Sequence, residues 1–373
     1  MSKVSIVRCP DYSDTKKAIA EALDLLGGLE DIINPGDCVL LKPNILAATA
    51  PEAAATTHPA VVAAMCEFVL EAGGKPIVGD GAGISHPGAT AKALKASGIE
   101  EAARKAGAKV VNFETAGFTK VKVPDPLQFR ELYLAKPVLE ADVVISLPKL
   151  KTHELTYYTG AVKNFFGALP LNYRKKAHYL GKRELFGEAV ADIYSVIRPR
   201  FAVMDGVMGM EGKGPSHGDP INSGLILASP DCVALDIVAA ELIGFDPLKI
   251  PTTAGALKKG FGNHCPVVVG TPFKEARMKF KPSHGGISTA PPVLTRHLGK
   301  FFTIHPKINQ RKCTRCGACY LNCSPHAVEQ AEDGSFRINP EKCILCYCCR
   351  ELCPNNAVEM KKSFLAKLLT SDF

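Results

Sequence analysis

Two stretches decide how this chain reads: Cys313-Thr314-Arg315-Cys316-Gly317-Ala318-Cys319-Tyr320-Leu321-Asn322-Cys323-Ser324-Pro325 and Cys343-Ile344-Leu345-Cys346-Tyr347-Cys348-Cys349-Arg350-Glu351-Leu352-Cys353-Pro354. Each is C-x2-C-x2-C-x3-C. Pro354 follows the second run directly, whereas Ser324 intervenes in the first. This is the ligand pattern for two [4Fe–4S] clusters. Two-residue spacers let three thiolates converge on one face of a cube, and the fourth cysteine turns away to serve the other cube. The expected sets are therefore Cys313, Cys316, Cys319 and Cys353 for one cluster, and Cys343, Cys346, Cys349 and Cys323 for the other. Zinc is the competing assignment, but zinc sites use two close cysteine pairs held far apart. Cys348 interrupts the second run and reads as a bystander thiol.

Working outward, the chain of 373 residues is too long for this block alone. The block needs about 60 residues, which leaves roughly 300 for a body with its own core. Hydrophobic content is 46% and tryptophan is absent. The formal net charge of +8 is spread along the chain and forms no run. It favours anionic partners and gives no case for nucleic acid. The six cysteines outside the eight-ligand set (Cys9, Cys38, Cys66, Cys232, Cys265 and Cys348) are scattered, which suits a reducing, cytoplasmic compartment better than disulfides. The N-terminus has no signal-peptide core, and no apolar run is long enough to span a bilayer.

Residues 1–150 alternate short apolar runs with helical periodicity and glycine stops. Residues 151–273 continue the pattern, with Asp231 as the expected cap of a helix. Alternation of this kind predicts an α/β body over 1–273, a mostly parallel sheet flanked by helices. A linker is expected over 274–303, a small α+β ferredoxin-like two-cluster domain over 304–360, and a tail helix over 361–373. The glycine-rich stretch 206–220 reads as a lid or substrate loop.

In a parallel α/β sheet, ligands sit beyond the carboxyl ends of strands. Those ends are chemically loaded here: Lys42 and Asn44, Asp80, then Lys149, Lys151 and His153, then Asp205. Lys163 and Asn164 stand on an otherwise apolar segment. Lysines with amide donors favour a small anionic substrate. The expected roles are catalytic for Lys149, His153 and Asp205, and substrate-binding for Lys42, Asn44, Asp80, Lys151, Lys163 and Asn164. Asp80 and Asp205 also have the oxygen chemistry for a hard cation. No phosphate loop, dinucleotide fingerprint, nucleophile elbow or zinc-protease motif is present.

The motifs Leu41-Lys42-Pro43-Asn44, Thr57-His58-Pro59, Gly79-Asp80-Gly81, Ser146 to His153, Gly160 to Asn164, and Met204-Asp205-Gly206, taken in that order, resemble the DUF362 family. Members of that family often carry a C-terminal two-cluster ferredoxin module. The resemblance implies an iron–sulfur protein of prokaryotic type and supplies no reaction. Two functions compete. One is an oxidoreductase that takes electrons from a soluble redox partner and acts on the anion. The other is a dedicated electron carrier whose body docks a partner enzyme. A purely structural use of the clusters is a third.

Overall fold

A computed structural model describes residues 2–83, 88–283, 304–323 and 325–362. Its body is built on one ten-stranded sheet. The central path runs β12 (Val267–Gly270), β1 (Lys3–Arg8), β11 (Asp219–Ser229), β10 (Phe201–Glu211), β7 (Val143–Leu147), β2 (Cys38–Pro43), β3 (Lys75–Asp80) and β4 (Lys109–Asn112). Off this path, β8 (Lys149–His153) pairs with β10 and with β9 (Tyr157–Thr159). β7, β2, β3 and β4 are mutually parallel, and β10 joins them parallel through β7 and β8. β11 runs antiparallel to both of its neighbours. The fold is thus mixed α/β with a largely parallel centre.

Helices Thr15–Asp24, Pro59–Glu71, Ala89–Ala96 and Ile99–Lys105 cover one face, sharing a core with Val39, Leu41, Val78 and Ile145. Helices Arg183–Ile197, Cys232–Leu242 and Pro251–Lys258 cover the other, packed on Leu40, Val144, Met204 and Leu227. Strands buried on both faces read as continuous apolar runs, which is why β7 and β10 show no alternation.

Several local expectations change. The stretch expected as a lid over 206–220 is mostly strand. β10 extends to Glu211 and β11 starts at Asp219, so only 212–218 forms the connection. Glycines at 206 and 209 suggested a loop, but they sit where neighbours leave no room for a side chain. A Cβ at Gly209 would meet Ser223 Oγ and the Phe280 ring. Residues 157–164 form β9 followed by a short helix at Ala161–Asn164. The helices Ala89–Ala96 and Ile99–Lys105 are separated at Gly98, whose φ of +70° no ordinary helix residue adopts.

The described part of 274–303 is anchored to the body. Met278 N and Phe280 N donate to Leu242 O and Ile243 O, and Ser283 Oγ donates to His153 O. The rest of that stretch lies outside the described residues. Lys361 and Lys362 close β16 (Val358–Lys362) rather than opening a helix. The remainder of the expected tail helix also lies outside the described residues. Among the described residues, no helix is long and apolar enough to cross a membrane.

Asp231 caps the helix Cys232–Leu242, as its position suggested. Its Oδ1 accepts from Val233 N at 2.9 Å and Ala234 N at 3.1 Å, while Oδ2 accepts from Ser2 Oγ at 2.7 Å. Asp231→Ala removes all three bonds. A loss of about 1–2 kcal/mol is expected in chemical denaturation. Asp231→Asn, which keeps one acceptor oxygen, is expected to lose less.

Candidate functional site

The two cysteine runs fold into a small pseudo-symmetric unit with a repeat of 30 residues. Arg315 and Gly317 in the first run, and Leu345 and Tyr347 in the second, all have positive φ. So do His326 and Asn356, three residues past each fourth cysteine. These left-handed residues curl each run so that its thiols face inward. The halves interlock: Asn309 N donates to Ala357 O, and Asn339 N donates to Ala327 O. β13 (Ile304–Ile308) pairs with β16, and β14 (Val328–Gln330) with β15 (Phe336–Ile338), both antiparallel.

The residues present fit iron–sulfur clusters. One cavity is lined by Cys313, Cys316, Cys319 and Cys353 together with Ile308, Phe336 and Val358. Cys353 of the second run thus shares a cavity with three thiols of the first. Backbone N–H groups donate to both fourth cysteines, Ala327 to Cys323 Sγ at 3.2 Å and Ala357 to Cys353 Sγ at 3.1 Å. Burial pushes the Cys319 thiol up to about 11, and Cys353, Cys313 and Cys316 add to the rise. A bound metal ion holds a coordinating thiol deprotonated. No three of the eight cysteines have Sγ atoms within 4.8 Å of one another. Four thiolates on one zinc ion would sit about 3.8 Å apart, given a Zn–S bond of about 2.3 Å. The splayed spacing suits a cube and not a single ion.

In the body, the strand ends converge as expected, but they are closed. Lys149 on β8 stands opposite Asp205 on β10 in register. Its Nζ is 2.8 Å from Asp205 Oδ2 and donates to Tyr12 Oη at 2.9 Å. His58 N also donates to Asp205 Oδ2 at 2.8 Å, and the Tyr12 and His58 rings stack at 3.5 Å. Lys42 Nζ is 2.5 Å from Asp80 Oδ1, while Asp80 accepts from Ile45 N and Gly81 N. A Cβ at Gly167 would collide with that carboxylate. Asn164 bridges β2 and β7, donating to Lys42 O at 2.8 Å and Ser146 Oγ at 3.2 Å. Both ion pairs are fully buried. Neither aspartate is free to take a cation, and neither Lys42 nor Lys149 is open to a ligand in this conformation.

Lys151, Lys163 and His153 differ. Lys151 Nζ donates to Asn44 Oδ1 at 2.8 Å and Ala55 O at 2.6 Å, and burial holds it well below the usual lysine range. Lys163 is half-buried and pushed down to about 8 by burial. Among the described residues, neither lysine has a carboxylate at ion-pair distance. His153 Nδ1 accepts from Leu155 N and Thr156 N, so the neutral ring carries its proton on Nε2. Burial, then the charges of Lys163, His178 and Lys151, keep His153 neutral well below its ordinary value. Near neutral pH this ring is a neutral hydrogen-bond donor through Nε2.

His153 Nε2 points across a seam to the cysteine block, 3.5 Å from Glu351 Oε1. Beside it, Arg350 Nε lies 2.6 Å from Glu154 Oε1. The distance makes this an ion pair, but its angle does not make a hydrogen bond, and both atoms lack an aligned partner. Lys175 Nζ donates to Leu321 O at 3.2 Å, and Arg183 bonds the Tyr347 hydroxyl. Buried polar atoms without hydrogen-bond partners gather at this seam, on Glu154, His178, His217 and Glu351. Such groups mark a place where water, an ion or a substrate completes the network. Sequence reasoning missed Tyr12, His58, Glu154, Arg350 and Glu351. The last two carried a signal, being charged residues between cysteines of a ligand run.

The family model for DUF362, described as a domain of unknown function, matches residues 39–241. A 4Fe-4S dicluster domain model matches residues 305–354, so the C-terminal unit is an iron–sulfur domain. The thylakoid-associated protein sll1697 of Synechocystis sp. is 36% identical over 264 residues, covering 70% of this chain and 80% of that protein. The lactate racemase apoprotein from Thermoanaerobacterium thermosaccharolyticum aligns with a TM-score of 0.42 and 13% identity, over 65% of this chain and 57% of its own. At that level it shows only a loose likeness.

Two outcomes follow from the buried charges. Asp205→Asn leaves Lys149 buried without its counter-charge, and a loss of about 3–5 kcal/mol is expected in urea denaturation. Burial raises Glu154 from 4.5 to about 8, against the lowering pull of Arg350. A raised folded value means the folded protein binds a proton that the unfolded chain has released. That contribution is full below 4.5 and is lost as pH rises towards 8. Between pH 5 and pH 8 the urea midpoint of the wild type is therefore expected to fall relative to that of Glu154→Gln, which does not ionise.

Proposed function

The chain belongs to the DUF362 family, and from that premise we propose that it is a two-cluster oxidoreductase acting on a small anion at the seam. Cys313, Cys316, Cys319 and Cys353 hold one [4Fe–4S] cluster, and Cys343, Cys346, Cys349 and Cys323 hold the other. When bound, the clusters supply one-electron transfer at low or moderate potential. The observation that carries the reading is the 3.5 Å approach of Glu351, two residues past Cys349, to His153 Nε2. It sets the candidate cleft directly against the second ligand run.

In this proposal the body's own residues bind and orient the substrate. Lys163, half-buried and uncommitted to a carboxylate among the described residues, attracts the anion. The His153 Nε2 proton donates to it. Lys151, locked by Asn44 and Ala55, adds positive potential without moving. Lys149 and Asp205, expected as catalytic from sequence, act here as the buried pair that aligns β8 with β10. With no flavin or dinucleotide fingerprint in the chain, electrons come from a soluble redox protein. Cytoplasmic location belongs to the same proposal; the relative's printed name places that protein at a thylakoid.

One observation favours the carrier reading. Both ion pairs at the strand ends are closed, as a body that only docks a partner would have them. Anaerobic protein reduced with dithionite separates the two readings when mixed with a panel of small carboxylates and phosphate esters. Return of the cluster absorbance with one compound, slowed at least about tenfold in Lys163→Met and His153→Gln at unchanged iron and sulfide, is the result expected of an enzyme. If no compound restores the colour, or the variants match the wild type, the body binds no substrate and the carrier reading stands.

A further inference from the structure

Cys348 has no counterpart in the first run, where Ala318 occupies the same offset. It opens the short helix Cys348–Glu351 and is half-buried. Its Sγ, the Sγ of Cys346 and a ring nitrogen of His178 all lie within 4.8 Å of one another. Among the described residues, no other trio of cysteine, histidine and carboxylate ligands is so compact. This spacing is close to that of a mononuclear centre, in which ligands about 2.0–2.3 Å from one ion stand roughly 3.5–3.8 Å apart. The cluster cysteines are splayed more widely.

His178 comes from the body, on the helix Leu171–Tyr179. Two rings hold it in place: Phe166 edge-on at 5.5 Å and Phe186 at 4.8 Å. Its Nδ1 is buried with no hydrogen-bond partner. A ring nitrogen taken out of water, fixed in orientation and left unbonded calls for a partner. The two thiols within 4.8 Å of a nitrogen of this ring are the soft donors that an imidazole accompanies in a metal site.

We infer that Cys346, Cys348 and His178 bind one thiophilic metal ion at the seam, with the Cys346 thiolate bridging that ion and the second cluster. Two thiolates and an imidazole select ions of the zinc, iron(II), nickel or copper(I) class over magnesium or calcium. Three protein ligands leave a tetrahedral ion one open position. Lys163 and Glu351 are the charged neighbours of Cys348 there. The ion also joins the two parts of the chain, since His178 belongs to the body and both thiols to the cysteine block. Cys348 is then a ligand and not the bystander that the spacing alone suggested. The inference rests on the two-cluster reading only through Cys346, and it does not need the substrate.

The test uses full-length protein, prepared anaerobically, incubated with one equivalent of zinc(II) and desalted. Iron, zinc, nickel, copper and acid-labile sulfide are then measured, and EPR spectra of the reduced protein are recorded. Wild type is expected to keep one extra ion beside about eight irons and eight sulfides, and its EPR signal is expected to change with the ion. Cys348→Ala and His178→Gln are expected to lose the ion at unchanged iron and sulfide, with no EPR response to zinc. Variants that keep the extra ion overturn the site, as does a wild type that never holds one. Loss of about four irons in Cys348→Ala also overturns it, by placing Cys348 in the cluster cage. A wild type without iron and sulfide sinks the two-cluster reading instead, whatever its zinc content.

Discussion

Charge exchanged across one seam governs how this molecule is put together. Arg350 and Glu351 follow Cys349 directly; Arg350 is buried against the body and Glu351 half-buried there. The body returns Glu154 to Arg350 and His153, beside Lys151 and Lys163, to Glu351. Burial keeps His153 neutral and raises both carboxyls, so close polar contacts hold the seam more than full ion pairs do. Removing one member strands a buried polar group, at a cost of about 1–3 kcal/mol. Because Arg350 and Glu351 are carried on the ligand run, their placement depends on the curl of that run. Whatever holds the cysteines together also holds the seam, so cluster binding and docking are coupled by construction.

The body obeys the same rule further in. Lysines at the ends of β2 and β8 sit where water is absent, and Asp80 and Asp205 compensate them within the same layer. Pro148 makes this possible. It ends β7, and the chain resumes as β8 beside the upper half of β10, which brings Lys149 into register with Asp205. With Lys42 and Lys149 neutralised inside the sheet, Lys151 and Lys163 are left to face the cysteine block. The positive character of the seam is thus a remainder, fixed by which lysines the aspartates reach.

The cysteine runs were legible because their geometry is local: spacing within twelve residues sets which thiols converge. The loaded strand ends were legible because a parallel sheet sends residues after its strands to one edge. Their closure was not, since it depends on pairing across 56 residues for Lys149 with Asp205. Tyr12 and His58 reach Asp205 from still farther along the chain; nothing around Tyr12 announces it, and the Thr57-His58-Pro59 motif marks His58 without naming its partner. The glycines of 206–212 misled because a residue type suited to loops is equally suited to crowded strands. The seam could have been found by laying one run over the other. At the 30-residue offset Gly317 becomes Tyr347, Ala318 becomes Cys348, Tyr320 becomes Arg350 and Leu321 becomes Glu351.

That comparison also orders the two halves in space. Tyr320 and Leu321 are 41% and 67% exposed, and Cys316 lies at the surface beside them. Arg350 and Glu351, their equivalents, are packed into the body. A repeat that began symmetric has one face adapted to solvent and the other to the sheet. Electron exchange between proteins needs an accessible group, and exchange with an enclosed site needs an adjacent one. In the proposed function, the first run meets the soluble partner and the second meets the cleft. In the same proposal, the outer set exchanges with proteins and the inner set with whatever the seam binds. The bulky Tyr347 in a left-handed conformation, where the first run has glycine, is strained. Across the seam, Arg183 donates a hydrogen bond to its hydroxyl.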